Sequence, residues 1–281
     1  MPPSLQALIL EGRKCLCDTP FAPEPREANL LLAHIMGWTE VELLARDDRS
    51  PTEAQLQSYR KAITRRAHGE PIAYILGQKE FYGRTFRVDN RVLIPRPETE
   101  HLVEEVLKLE LEGQPTILDI GTGSGCLAVT LALELAGSRV IATDLSPAPL
   151  AVAARNARLY RVDSRIAFVA ADLTSGLDLQ AIDLVVSNPP YIATDAASDL
   201  SPEILEFEPH AALFAGPGGV DLIRRLLDQL RHLRPGVWIA LEIGFDQEAR
   251  LHELASSPSY RSLAVSPDYA GRPRIARLQR A

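Results

Sequence analysis

The chain has 281 residues, 46% of them hydrophobic and 24% charged, with a formal net charge of -7. Those proportions belong to an ordinary globular chain with one large core and a smaller one, and they exclude extensive disorder. The acidic balance removes the electrostatic basis for sequence-independent binding to a phosphate backbone. Three cysteines, Cys15, Cys17 and Cys126, are too few for a disulfide framework and lack the partner pair of a zinc site. They read as small apolar filler in a reducing cytosol, so a cytoplasmic protein without metal is expected. No basic segment precedes the first apolar run and no stretch is apolar for long enough to cross a bilayer, so neither export nor membrane insertion is expected.

In residues 1–70, apolar side chains recur at spacings of three and four, which predicts a small helical bundle. Thr39 followed by Glu40 and Glu42, and Ser50 followed by Pro51 and Glu53, read as capped helix starts. Acids, Asp18, Asp47 and Asp48 among them, balance bases here, and Arg60, Lys61, Arg65 and Arg66 read as a solvated helix face. Residues 71–97 turn to aromatic and β-branched types broken by Gly77, Gly83 and Asp89-Asn90, the pattern of a hairpin or extended linker.

From residue 98 to 281, strand patterns alternate with helical ones. The strands are PTILDIG, RVIATDL, RIAFVAADL, IDLVVSNPPY, VWIALEIG, YRSLAVS and RPRIARLQ. This order predicts βαβ units and a Rossmann-like α/β domain whose mainly parallel sheet is covered on both faces, with the last two strands paired antiparallel.

Gly121, Gly123 and Gly125 in ILDIGTGSG follow the first of these strands and open a helix, where glycine lets the backbone turn sharply and a ligand approach it. A dinucleotide fingerprint would require glycine where Cys126 stands. Asp144 ends the second strand 19 positions after Gly125, a place from which a carboxylate accepts hydrogen bonds from ribose hydroxyls. It could equally help cap the helix starting near Ser146-Pro147. Asp172 and Leu173, after the third strand, suit the exocyclic amine and the face of an adenine. NADH and S-adenosylmethionine both remain compatible with this crevice.

The fourth strand ends in Asn188-Pro189-Pro190-Tyr191. Two prolines cannot donate hydrogen bonds, whereas Asn188 Oδ1 and the Pro189 carbonyl can accept them. Such an acceptor pair suits a planar –NH₂ group, whose delocalised lone pair it would free for attack on an electrophilic methyl group. Tyr191 offers an aromatic face to the flat substrate. This chemistry selects S-adenosylmethionine, with S-adenosylhomocysteine as product.

The chain resembles the HemK/PrmC family of S-adenosylmethionine-dependent methyltransferases. The resemblance rests on EANLLLAHIMG, GEPIAYILGQKEFYGRTFRV, VLIPRPETEHLVE, ILDIGTGSGCLAV, SNPPYI, FEPHAALFAGPGG and ALEIG. It implies a seven-stranded class I methyltransferase domain preceded by a helical domain that docks the substrate. The implied reaction is methylation of N5 of the glutamine in the GGQ motif of peptide chain release factors. The implied cofactor residues are Gly121, Thr122, Gly123, Ser124, Gly125, Asp144, Asp172, Leu173 and Asn188. Asn188, Pro189, Pro190 and Tyr191 would hold the glutamine, with Arg96, Glu98 and Thr99 in support; Arg96 could instead be a structural ion-pair partner. A monomer is expected, acting without direct contact to nucleic acid. The sequence departs from the family at Glu203-Ile204-Leu205 and at Leu173, where some members carry an aromatic. Two other readings stay open: an adenine N6 DNA methyltransferase, and a non-catalytic module that binds the release factor or ribosome.

Overall fold

The apolar spacing of the first third of the chain folds as helices in the computed structural model, which describes residues 3–17, 19, 21, 23–46 and 49–281. Asp18, Asp47 and Asp48 of the charge pattern therefore lie outside the described residues. The chain divides into two compact units, Met1–Gln78 with Leu200–Phe207, and Lys79–Asp199 with Glu208–Ala281.

The first unit contains α1 (Leu5–Cys17), α2 (Glu27–Met36), α3 (Glu40–Ala45), α4 (Glu53–Ala67) and α5 (Ile72–Leu76). Thr39 and Glu42 form a capping box at α3, as their spacing suggests. At α4 the expected Ser50 cap is displaced: Thr52 is the N-cap and closes a box with Gln55, because a glutamine three residues on rewards that start. Cys15 and Cys17 are exposed and only Cys126 is buried, so the filler reading holds for one thiol of the three.

Arg66 is also not on a solvated face. It continues the buried stripe Leu56, Tyr59, Ile63 at helical spacing and is 3% exposed. Its guanidinium is fully engaged: Nε donates to Glu27, Nη2 pairs with Glu203 at 3.0 Å, and Nη1 donates to the Glu70 carbonyl at 3.2 Å. Glu203 thus anchors the segment Leu200–Phe207 within this unit.

The second unit opens with the hairpin β1 (Gln78–Phe81) and β2 (Arg84–Arg87), followed by α6 (Glu98–Leu107), β3 (Thr116–Ile120), α7 (Cys126–Glu134), β4 (Arg139–Asp144), α8 (Pro147–Leu159), β5 (Ile166–Ala170) and β6 (Leu184–Ser187). After the segment containing α9 (Pro202–Phe207) come α10 (Asp221–Leu230), β7 (Trp238–Glu242), α11 (Glu248–Ala255), β8 (Tyr260–Pro267) and β9 (Pro273–Arg280). The seven expected strands form one sheet in the order β5-β4-β3-β6-β7-β9-β8. β3 to β7 run parallel, and β9 is antiparallel to both β7 and β8.

Alternation along buried strands builds a core on each face. Ile117, Val186 and Ala240 pack with Leu102, Leu131 and Ala157 of α6, α7 and α8. Leu118, Val185 and Ile239 pack with Leu226 and Leu251 of α10 and α11. The chain turns from one face to the other between β3 and β6, the place where an open α/β sheet leaves a crevice.

Arg66→Ala leaves the partly buried carboxylate of Glu27 without the buried cation it pairs with. Breaking such a buried pair costs about 3 kcal/mol, which a urea titration of the full chain should register as an earlier first transition.

Candidate active site

The crevice is framed by the register of the parallel strands. Ile120 lies opposite both Thr143 and Ser187, so Gly121, Asp144 and Asn188 emerge along one edge. Gly121 has φ +73°, and a Cβ added there would meet nothing within 4 Å, leaving bare backbone facing open space. Gly125 serves a different end. At φ +78° its added Cβ would stand 2.8 Å from Ala153 Cβ, so this glycine permits the close approach of α7 to α8. Thr122 Oγ1 donates to Asp119 Oδ2 at 2.6 Å, and Ser124 is buried, its carbonyl accepting from Asn156 Nδ2 at 2.8 Å.

Asp144 accepts from the Gly123 amide at 3.1 Å and from the Ser146 amide at 3.2 Å, bracing the glycine turn and the start of α8, where Ser146 is the N-cap. Burial raises its carboxyl above the usual range, and those backbone donors oppose the shift. The capping and ligand-contact readings of Asp144 are compatible: its oxygens hold the turn while the residue also lines the cavity.

The cavity has a volume of about 660 Å³, within the range for a cofactor or small ligand. Its wall brings together Gly121, Thr122, Gly123, Ser124, Asp144, Asp172, Leu173, Asn188, Pro189 and Pro190 with Arg96 and Thr99. Gly125, Glu98 and Tyr191 are not among its lining residues. Asp172 accepts from Arg225 Nη2 at 2.7 Å, so one oxygen of the expected adenine acceptor is already engaged. Leu173 holds left-handed backbone at φ +56°, a conformation rare for leucine and costing about 1–3 kcal/mol. Arg96 is an ion-pair partner, as one reading allowed: Glu208, 4% exposed, accepts from Arg96 and, at 3.1 Å, from the Ile94 amide.

Asn188 is braced by Thr99 of the cavity wall and, through it, by the buried Glu242. Its Nδ2 donates to Thr99 Oγ1 at 2.9 Å, and Thr99 Oγ1 donates to Glu242 Oε2 at 2.7 Å. The other carboxylate oxygen accepts from the Tyr191 hydroxyl at 3.2 Å. Tyr191 is also tied through its carbonyl, which accepts from Gln247 Nε2 at 2.8 Å. Burial and the adjacent Glu242 push the Tyr191 phenol upward, which keeps it a neutral donor. Burial likewise raises the Glu242 carboxyl, opposed by the Thr99 hydroxyl and the field of Arg274.

Two family descriptions match the sequence: PrmC N-terminal domain over residues 7–77, and methyltransferase small domain over residues 98–213. The release factor glutamine methyltransferase of Koribacter versatilis is 42% identical over 257 residues, spanning 90% of each chain. That of Cereibacter sphaeroides is 43% identical over 260 residues, 91% of this chain and 92% of the relative. The chain belongs to the release factor glutamine methyltransferase family. It is therefore a methyltransferase enzyme, and its fold agrees. A crystal structure of the human Mettl16 catalytic domain with an MAT2A 3'UTR hairpin superposes with a TM-score of 0.58 at 18% identity, covering 82% of this chain and 81% of that one.

Two of the buried acids in this family member escaped the sequence reading, Asp119 in ILDIG and Glu242 in ALEIG. Both are fully buried, and a carboxylate inside a strand that is otherwise apolar was the available signal. Glu208 and Asn156 carried no comparable signal, because each acts on a segment distant in sequence. Among the described residues no group of three or more His, Cys, Asp or Glu is placed to hold a metal ion, and no helix is long and apolar enough to cross a membrane.

Burial raises the Asp119 carboxyl to about 7, against the opposing Thr122 hydroxyl. The unfolded chain releases that proton near pH 4, at about the ordinary aspartate value. Between those values the folded state binds more protons, so this group's contribution makes stability fall as pH rises from about 4 to 7. Asp119→Asn, which can still accept from Thr122, should flatten that part of the profile when urea midpoints are compared at pH 5 and pH 7.5.

Proposed function

We propose that this chain transfers a methyl group from S-adenosyl-L-methionine to N5 of the glutamine in the GGQ motif of peptide chain release factors. The observation that carries the reading is the polarity of Asn188. With Nδ2 committed to Thr99, Oδ1 is the atom left to receive a substrate –NH₂ beside the glycine turn. The names of the relatives at 38–43% identity support the substrate class.

The residues fit the cofactor. Gly121 gives an uncrowded backbone where a Cβ would protrude, Asp144 stands at the end of β4 for ribose hydroxyls, and Asp172 and Leu173 flank the adenine position. When bound, S-adenosylmethionine supplies a sulfonium methyl group and leaves as neutral S-adenosylhomocysteine. Asn188 Oδ1 and the Pro189 carbonyl accept the two amide N–H bonds, draw the nitrogen lone pair out of conjugation and aim it at the methyl carbon. Each hydrogen bond contributes only about 0.5–1.5 kcal/mol, whereas orientation of the reactants can supply about 7–11 kcal/mol. Transfer would form the N–C bond as the S–C bond breaks, with one amide proton released to water. Tyr191, off the cavity wall with its hydroxyl on Glu242, stiffens the loop and offers its ring at the substrate's edge. Arg96 fixes the adjacent IPRPE segment through Glu208, and Glu98 adds only a nearby charge.

Glutamine is small and common, so selection of the release factor falls to the helical unit, Met1–Gln78 with Leu200–Phe207, and methyl transfer to the other unit. The reading carries a monomer acting in the cytoplasm, without metal and without direct nucleic-acid contact. Adenine N6 methylation of DNA uses the same acceptors, but the net charge of -7 opposes holding a duplex.

Incubation with labelled S-adenosylmethionine and either a release factor or DNA tests this choice. Label on the release factor glutamine is expected; label on DNA alone selects the adenine reading, and label on neither leaves a binding module. Asn188→Ala should slow transfer at least about tenfold while calorimetry finds S-adenosylhomocysteine affinity largely retained. Asp144→Ala should chiefly weaken that affinity, and an unchanged value would leave Asp144 only its role in bracing the turn.

A further inference from the structure

Thr99 and Glu242 form a chain of hydrogen bonds whose direction is fixed from its buried end. Thr99 is 2% exposed and Glu242 fully buried, so neither exchanges its partner for water. Two hydroxyls converge on Glu242, one on each oxygen: Thr99 at 2.7 Å and Tyr191 at 3.2 Å. Glu242 accepts on both oxygens, from Thr99 on one and from Tyr191 on the other. The single Thr99 proton is therefore spent on Glu242, and Thr99 Oγ1 faces Asn188 as an acceptor. Only the –NH₂ side of the Asn188 amide can satisfy it, at 2.9 Å. The planar amide then has its oxygen turned away from Thr99.

We infer that Thr99 and Glu242 are positioning residues that set which face of the Asn188 amide meets the substrate, acting as a one-way hydrogen-bond relay behind the active site. The inference rests on the proposed reaction and deepens it. An asparagine side chain free to rotate would present –NH₂ to a substrate –NH₂ part of the time, a donor against a donor. The relay removes that state. It draws on three separate elements, the first turn of α6, the end of β6 and the end of β7. The same Glu242 also fixes the Tyr191 hydroxyl, so both ends of Asn-Pro-Pro-Tyr are held by one buried carboxylate.

The test is Thr99→Val, which keeps the shape and deletes the hydroxyl, beside Thr99→Ser, which restores it. Methylation of a release factor is followed with labelled S-adenosylmethionine, S-adenosylhomocysteine affinity by calorimetry, and folding by the thermal midpoint. The expected result for Thr99→Val is a fall in kcat of about tenfold, the scale of one oriented hydrogen bond in a buried network. KM, S-adenosylhomocysteine affinity and the thermal midpoint should stay close to wild type, and Thr99→Ser should recover most of kcat. A Thr99→Val enzyme with wild-type kcat overturns the relay while leaving the proposed reaction standing. So does a fall in kcat matched by lost S-adenosylhomocysteine affinity, or one that serine fails to rescue, since either marks a merely structural role. Failure of the wild-type enzyme to label the release factor overturns the reaction itself, and the relay with it.

Discussion

The parallel register of β3 between β4 and β6 is the constraint on which the site depends. With Ile120 opposite Thr143 on one side and Ser187 on the other, three strands end level with one another. The chain must then leave the sheet at Gly121, Asp144 and Asn188 in one crevice. Hydrogen-bond pairing allows no intermediate offset, because a slip of one residue would turn every buried Ile, Leu and Val of β3 and β6 to the wrong face. The hydrophobic pattern that stabilises the two cores therefore also aligns residues that are distant in sequence.

Around that edge, buried carboxylates hold the backbone and side chains that the register delivers. Asp119 takes the Thr122 hydroxyl under the glycine turn, Glu208 takes the Ile94 amide and the Arg96 guanidinium, and Glu242 takes Thr99 and Tyr191. Removing a carboxylate from water is costly unless donors replace the lost solvation. Glu208 and Glu242 are accordingly met by protein donors on both oxygens, from segments at the cavity, whereas Asp119 Oδ1 has no hydrogen-bond partner, in keeping with a carboxyl that burial raises to about 7. The cost of burial and the rigidity of the site have the same source. The helical unit repeats the device with opposite charge: Arg66 gathers Glu27, Glu203 and the Glu70 carbonyl.

Much of the fold was legible because it follows from local periodicity. Mainly apolar parallel strands of four to six residues, helices at three-and-four spacing and the antiparallel final pair all emerge from patterns that neighbouring residues carry themselves. Where local rules competed, reading the chain misjudged the winner. Thr52 displaced Ser50 because its capping box closes with Gln55, and Arg66 went inside because its position on the α4 stripe outweighed its charge once carboxylates surrounded it.

By itself the sequence determined the residue types of the site: glycines without side chains, an acid at the end of β4, and a loop whose prolines remove donors and leave acceptors. Those properties are covalent and travel with the chain. Only the tertiary structure decided how these groups are oriented. It separated Gly121, which faces open space, from Gly125, which serves helix packing. It engaged Asp172 with Arg225, took Tyr191 off the cavity wall, and tied Asn188 to Glu242 through Thr99. The direction of a hydrogen bond depends on what each partner has already donated or accepted, and these partners meet only when separate strands and helices close on one another.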